Sequence, residues 1–308
     1  MRRIADLGWQ LAGALVQVPP VPDLPPGRVV ELSGRGRTFV VDTGAPPGRP
    51  NAPPLILLHA LGCTGLLTWY PSLPALAARY RVITFDQRWH GRGIRSPHFR
   101  LDDCADDAVA VADALGVDRF VAVGYSMGSL VAQLTAIRHR DRLAGLVLGA
   151  STMRFTRGRA DPLALRVLAL RIRTMAERRL RAGPFGAPPD ARADANRWAA
   201  AQFRSTSPTE IAGATAVLAR FDSSRWVGRI DTPTAVVITT RDHAVPAAQQ
   251  RALVRRLPHA TAFEIESGHA AVVLDAARFT PALLAACAWV SLHRANQRAN
   301  HPPARAPR

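Results

Sequence analysis

"VAVGYSMGSLVA", residues 121–132, decides how this chain reads. Small apolar residues run to Val123 as a buried strand would, break at Gly124 and resume as helix-forming sequence beyond Ser126. Gly124 and Gly128 stand two positions either side of the serine. That spacing describes a sharp strand-to-helix turn, with a strained serine at its tip and room only for glycine beside it. Strain costs free energy, so a turn of this kind points to a side chain held for chemistry.

Outward from this turn the chain alternates. "RTFVVDT", "PLILLH", "RVITFD", "RFVAVGY" and "LAGLVLGA" read as strands, with "WYPSLPALAARY" and "LDDCADDAVAVADALG" as helices between them. After a long interruption come the strand "TAVVITT", the helix "AAQQRALVRRLP", the strand "ATAFEIE" and a helix from about Ala276 to Leu292. Apolar strands alternating with helices imply a mostly parallel sheet buried on both faces, an α/β fold. The interruption, Ser151 to Asp231, holds the Arg/Leu-rich "DPLALRVLALRIRTMAERRLRAG" and then "SPTEIAGATAVLARF". In the latter, Ser207, Pro208 and Glu210 form a capping box that starts a helix. Helices inserted there fall over the carboxyl ends of the strands, the position of a lid.

Composition narrows the function classes. Forty basic residues against 23 acidic give +17, and every basic residue is arginine. The arginines are spread along the chain with no recognition motif beside them, so a coding bias is preferred to a nucleic-acid surface. Three cysteines (Cys63, Cys104, Cys287) without metal-like spacing argue against a disulfide framework and place the chain in a reducing, cytoplasmic setting. Near the N-terminus Ile4, Leu7, Leu11, Leu15 and Val18 fall at helical spacing, and Asp6 interrupts any signal-peptide core. No stretch is long and apolar enough for a membrane span, which leaves peripheral membrane contact open.

A serine becomes a nucleophile only when a base takes its proton and a third group orients that base. Nine histidines are available. His269, in "EIESGHAAVV", follows the last strand behind a glycine. Asp242, in "VVITTRDHAVP", lies just past the end of the strand before it. Ser126, Asp242 and His269 thus follow three strand ends, at the edge where open parallel sheets bind ligands.

These residues, with "HALG" at 59–62 and "DQRWHGRG" at 86–93, make residues 29–290 resemble the α/β-hydrolase superfamily, whose order is also Ser, Asp, His. The resemblance implies a nucleophile elbow at Gly124–Gly128, Ser126 as nucleophile, His269 as general base and acid, and Asp242 as orienting carboxylate. It implies an oxyanion hole made by the backbone N–H groups of Leu61 and Met127, with no metal and no organic cofactor. Ala60 departs from the family's usual glycine. His59 and His90 are read as structural. The implied organisation is an N-terminal amphipathic segment (1–28), core (29–150), helical lid and connecting helix after the sixth strand (151–231), core (232–290) and a disordered tail (291–308).

The reaction follows from what is missing. The elbow carries serine, whereas epoxide hydrolases and haloalkane dehalogenases of this fold use aspartate. Tyr70, Tyr80 and Tyr125 all lie outside the lid, and there is no lysine for hydroxynitrile lyase chemistry. The expectation is a serine hydrolase acting on a carboxylic ester, thioester or lactone, a small-molecule acyl substrate. Acyl transfer, perhydrolysis, C–C bond hydrolysis and a non-catalytic ligand-binding role stand as alternatives. In the lid, Leu163, Val167, Leu170, Met175 and Leu180 supply an apolar side, and Arg166, Arg171, Arg173, Arg178, Arg179 and Arg181 crowd the rest. That stripe reads either as packing or as cover for an acyl pocket.

Overall fold

Residues 18–154 and 191–300 are described by the computed structural model. The N-terminal amphipathic stretch and the Arg/Leu-rich part of the insertion fall outside them. Eight strands form one sheet: β1 (Gly27–Leu32), β2 (Gly36–Asp42), β3 (Pro54–Leu58), β4 (Arg81–Phe85), β5 (Phe120–Tyr125), β6 (Leu143–Gly149), β7 (Thr234–Thr239) and β8 (Ala260–Ile265). Their order is β1-β2-β4-β3-β5-β6-β7-β8. β1 and β2 pair antiparallel with each other, β2 pairs antiparallel with β4, and all other neighbours are parallel. The insertion does lie between β6 and β7.

Alternate residues of the central strands go to opposite faces, and both faces are covered. Ile56, Leu58, Ala122, Leu146, Leu148, Val236 and Ile238 pack in one core, with helices α3 (Leu101–Ala114) and α4 (Met127–Arg138). Leu55, Leu57, Val121, Val123, Val147 and Val237 pack in the other, against Trp69, Leu73, Phe279, Leu283 and Val290. Burial on both sides is why these strands read as unbroken apolar runs.

The structure departs from the sequence reading in three places. β1 is an additional edge strand: Val29 is exposed and only Val30 and Leu32 are buried, so "GRVVEL" lacks the continuous apolar run of the interior strands. "WYPSLPALAARY" is two short helices rather than one, α1 (Gly65–Trp69) and α2 (Leu73–Ala77). Pro71 has no N–H for a continuing ladder and divides them. The last helix, α9, runs Ala276–Asn300, so residues 291–300 are helical where a disordered tail was expected. Ser291 Oγ donates to the Cys287 carbonyl (2.8 Å) and His293 Nδ1 to that of Trp289 (2.9 Å), and the Ala/Gln/Arg composition favours helix. Residues 301–308 lie outside the description.

Four further helices lie among the described residues: α5 (Ala191–Arg204), α6 (Pro208–Leu218), α7 (Ala247–Arg256) and α8 (Ala271–Leu274). The expected capping box at α6 is present: the Ser207 hydroxyl accepts from the Glu210 amide, and Glu210 accepts from the Ser207 amide. Among the described residues no helix is long and apolar enough to cross a membrane.

Candidate active site

Ser126 follows β5 directly and opens α4 with φ 51° and ψ −116°, a conformation that costs about 1–3 kcal/mol. Trp89 and Ala150, the other described non-glycine residues with positive φ, follow β4 and β6 at the same sheet edge. Hydrogen bonds hold the serine in place. Its amide donates to the Gly149 carbonyl (3.0 Å), and its own carbonyl accepts from the Ser129 amide (2.9 Å) and hydroxyl (2.6 Å). The flanking glycines are required by close approach rather than by positive φ. A Cβ on Gly124 would lie 2.2 Å from the Gly128 carbonyl oxygen, and one on Gly128 would lie 2.1 Å from that of Leu58.

The three candidate residues converge. Ser126 Oγ lies 2.9 Å from His269 Nε2, and His269 Nδ1 lies 2.7 Å from Asp242 Oδ2. An ionised carboxylate only accepts, so Nδ1 carries the proton and Nε2 is left to accept from the serine. Asp242 is fixed by three further donors: the Thr239 hydroxyl on Oδ2 (2.8 Å), and the Ala244 and Val245 amides on Oδ1 (2.8 Å each). Behind it the fully buried Gln250 ties the Thr239 turn together. Its Oε1 accepts from the Thr239 amide (3.1 Å) and its Nε2 donates to the Val245 carbonyl (2.7 Å). Ser126 and Asp242 are buried, while the His269 side chain keeps 17% exposure.

On the other side of Ser126 lies the loop after β3. His59 is buried there with both ring nitrogens occupied: Nδ1 donates to the Ala60 carbonyl (2.8 Å) and Nε2 accepts from the Gln87 amide (2.8 Å). Gln87 Nε2 returns a bond to the His59 carbonyl (2.9 Å), and the Ala60 amide reaches the Thr68 hydroxyl (3.3 Å). Burial pulls His59 down to about 4 and the neighbouring His90 down to about 3, so both are neutral. His59 is thus tied to main chain at both nitrogens, whereas His90 holds the Arg88 carbonyl through Nδ1 (3.0 Å) and its buried Nε2 has no hydrogen-bond partner. Leu61, next in the loop, packs against the Ile211 and Ala212 cluster of α6, as does Phe203. The Met127 amide sits at the first position of α4, where no preceding helical carbonyl can take it.

The "DQRWHGRG" segment braces this loop. Asp86 is buried and accepts from the Gly65 amide (2.9 Å) and the Arg92 amide (2.9 Å); burial pushes its carboxyl up. Arg88 makes a two-pronged ion pair with the buried Asp107 of α3 (2.8 Å on each oxygen), which also takes Arg35 Nε at 2.6 Å. Helices α5 and α6 dock on these same loops. Thr64 Oγ1 donates to Gln202 (2.8 Å), the Gly91 amide to Thr206 (3.0 Å), and Arg95 pairs with Glu210.

The sequence reading missed Thr239, Gln250 and the hydroxyl of Tyr125, which donates to the His269 carbonyl (2.8 Å). "TTRD" and the tyrosine of the turn are their only traces in the sequence. The three cysteines are unpaired, and burial raises their thiols, Cys63 to about 11 and Cys287 to about 12. Among the described residues no three or more His, Cys, Asp or Glu converge as metal donors.

A family model described as the alpha/beta hydrolase fold matches residues 53–276. The chain is 30% identical over 255 residues to the magnesium-chelatase 30 kDa subunit of Rhodobacter capsulatus, across 75% of this chain and 84% of that one. It is 40% identical to RutD of Caulobacter vibrioides, a candidate carbamate hydrolase by its name, but over only 96 residues, which is 30% of this chain and 35% of that protein. Among solved structures, the enol-lactonase from Burkholderia xenovorans superposes with a TM-score of 0.70 at 23% identity, over 85% of this chain and 100% of that one.

Proposed function

This chain belongs to the α/β-hydrolase fold family, and we propose that within it the protein is a serine hydrolase of a carboxylic ester, thioester or lactone, working through an acyl-enzyme. The observation that carries the reading is the unbroken line from Ser126 Oγ to His269 Nε2 (2.9 Å) and from His269 Nδ1 to Asp242 (2.7 Å). His269 Nε2 takes the hydroxyl proton as Oγ bonds to the substrate carbonyl carbon. The Leu61 and Met127 N–H groups receive the oxyanion, in a site where fixed donors need no reorganisation. As the tetrahedral intermediate collapses, His269 passes its proton to the leaving alcohol or thiol and the carbonyl–heteroatom bond breaks. A water then repeats both steps, giving its proton to His269, and Ser126 recovers its proton as the acid leaves.

The apolar surroundings of Leu61, which packs with Phe203 against the Ile211 and Ala212 cluster of α6, favour an aliphatic acyl group beside the oxyanion loop. In this proposal α5 and α6 are part of the lid. Three unpaired thiols fit a reducing compartment, the cytoplasm.

A second reading draws on the magnesium-chelatase subunit, similar over most of both chains. On that reading the protein is a non-catalytic member of such an assembly and its triad is unused.

The test is turnover of straight-chain p-nitrophenyl esters, an acyl-coenzyme A thioester and a lactone by wild type and Ser126→Ala. The proposal expects hydrolysis by wild type and a loss of at least about 10³-fold in the variant. Turnover within tenfold of wild type in Ser126→Ala overturns the assignment. A folded wild type inert to the whole panel and to serine-directed phosphonates supports the second reading.

A further inference from the structure

Tyr125 stands beside the nucleophile in the turn, yet its side chain reaches the opposite end of the catalytic line. The phenol is buried, and its hydroxyl donates to the backbone carbonyl of His269 at 2.8 Å. His269 lies between β8 and α8, outside both elements. Among the described residues the bond from Tyr125 is the one hydrogen bond made by the His269 main chain; neighbouring bonds use Ser267, Gly268 and Ala270 instead. The imidazole is held at Nε2 by the hydroxyl it exchanges a proton with and at Nδ1 by the carboxylate that orients it, so its anchorage independent of the reaction comes through the backbone.

The ring that delivers this hydroxyl is itself closely packed. It packs edge-to-face on Phe279 (5.2 Å between centroids) and Trp69 (6.4 Å). On the strand side it lies so close to Gly149 that a Cβ there would sit 2.7 Å from Tyr125 Cδ2. Gly149 is also the residue whose carbonyl takes the Ser126 amide (3.0 Å). One phenol therefore references the base to the same patch of β5 and β6 that fixes the nucleophile.

We propose that Tyr125 is a positioning residue: its hydroxyl sets the separation of His269 Nε2 from Ser126 Oγ by fixing the main chain of His269. The proposal rests on the reaction assigned above. Removing the hydroxyl releases the His269 main chain within a loop still pinned at Ser267 and Gly268, and a displacement of about 1 Å or less is enough to slow proton transfer. The reacting groups remain present and substrate contacts are untouched, so the loss falls on kcat and on the acylation rate rather than on KM.

The experiment compares Tyr125→Phe with Phe279→Leu. The first keeps the ring and deletes the hydroxyl; the second loosens the packing around the ring and keeps the hydroxyl. For Tyr125→Phe we expect kcat and the phosphonylation rate of Ser126 to fall about tenfold with KM within about twofold. The proton NMR signal of the imidazole N–H shared with Asp242 should broaden through faster exchange. Phe279→Leu should lower thermal stability and, compared at equal folded fraction, slow kcat clearly less than Tyr125→Phe does, because the hydroxyl remains. The proposal is overturned if Tyr125→Phe keeps wild-type kcat, phosphonylation and imidazole signal, or if Phe279→Leu slows the folded enzyme as much as Tyr125→Phe. Should wild type neither turn over nor label, the proposed reaction fails; the imidazole signal then still decides whether Tyr125 holds His269 in place.

Discussion

His59 and His269 both follow strands at one edge of one sheet, the first directly after β3 and the second a short loop after β8. His59 has each ring nitrogen bonded to main chain, Ala60 on one side and Gln87 on the other, and burial holds it at about 4. His269 has a carboxylate on one nitrogen and a hydroxyl on the other, and part of its ring meets solvent. A histidine whose nitrogens serve backbone groups is a strut that fixes a loop. One placed between an acid and a hydroxyl is able to carry a proton. The partners, more than the residue type or the strand-end position, separate the two roles.

The comparison is broken most directly by exchanging losses. His269→Ala should lower kcat/KM by about 10⁴-fold or more at equal folded fraction, because members of a unit that acts together each carry most of its effect. His59→Gln should cost stability and, per folded molecule, stay within about tenfold of wild type. A His59 variant worse per folded molecule than His269→Ala reverses the assignment. Asp242→Asn leaves the contacts nearly in place but presents an amide to Nδ1, and should cost about 10²–10⁴-fold; an unchanged rate would mean that Asp242 only closes its turn.

Acid titration separates the histidines thermodynamically. His59 and His90 are depressed in the folded state to about 4 and about 3 from 6.5, so unfolding takes up protons below neutrality. Their contribution is present above 6.5 and is lost as pH falls from there toward 4 and 3. Each should remove about 2 kcal/mol of stability between pH 7 and pH 5, read as a falling urea midpoint. A midpoint flat over that interval contradicts the neutral-strut account. The smallest effect is expected at the α6 cap: Ser207→Ala should cost about 1 kcal/mol through loss of that cap, with kcat changed by less than about twofold.

Where both faces of a strand are buried, its pattern is legible: β3 to β7 read directly, and with them the strand-end positions of Ser126 and Asp242, while His269 is placed by the half-exposed β8 and the glycine before it. β1 is not, because an edge strand with Val29 exposed carries too weak a pattern. The helix break at Pro71 is plain only when proline is weighed against the apolar run around it. The supports of the site were harder still. Gln250 meets Thr239 across helix α7 and strand β7, and Tyr125 meets His269 from 144 positions away, so these contacts exist only after the sheet has formed. The motif residues mark a line of chemistry; the groups that hold it still come from positions that look like ordinary core.

The central claim is that Ser126 is a nucleophile activated by His269. Its most direct measurement is intact-mass and peptide-level analysis after reaction with a p-nitrophenyl alkylphosphonate, run on wild type, Ser126→Ala and His269→Ala. The account predicts one adduct per chain, located on Ser126, absent in Ser126→Ala and formed about 10³-fold or more slowly in His269→Ala. An adduct on another residue, or labelling of Ser126 at the wild-type rate without His269, would contradict it.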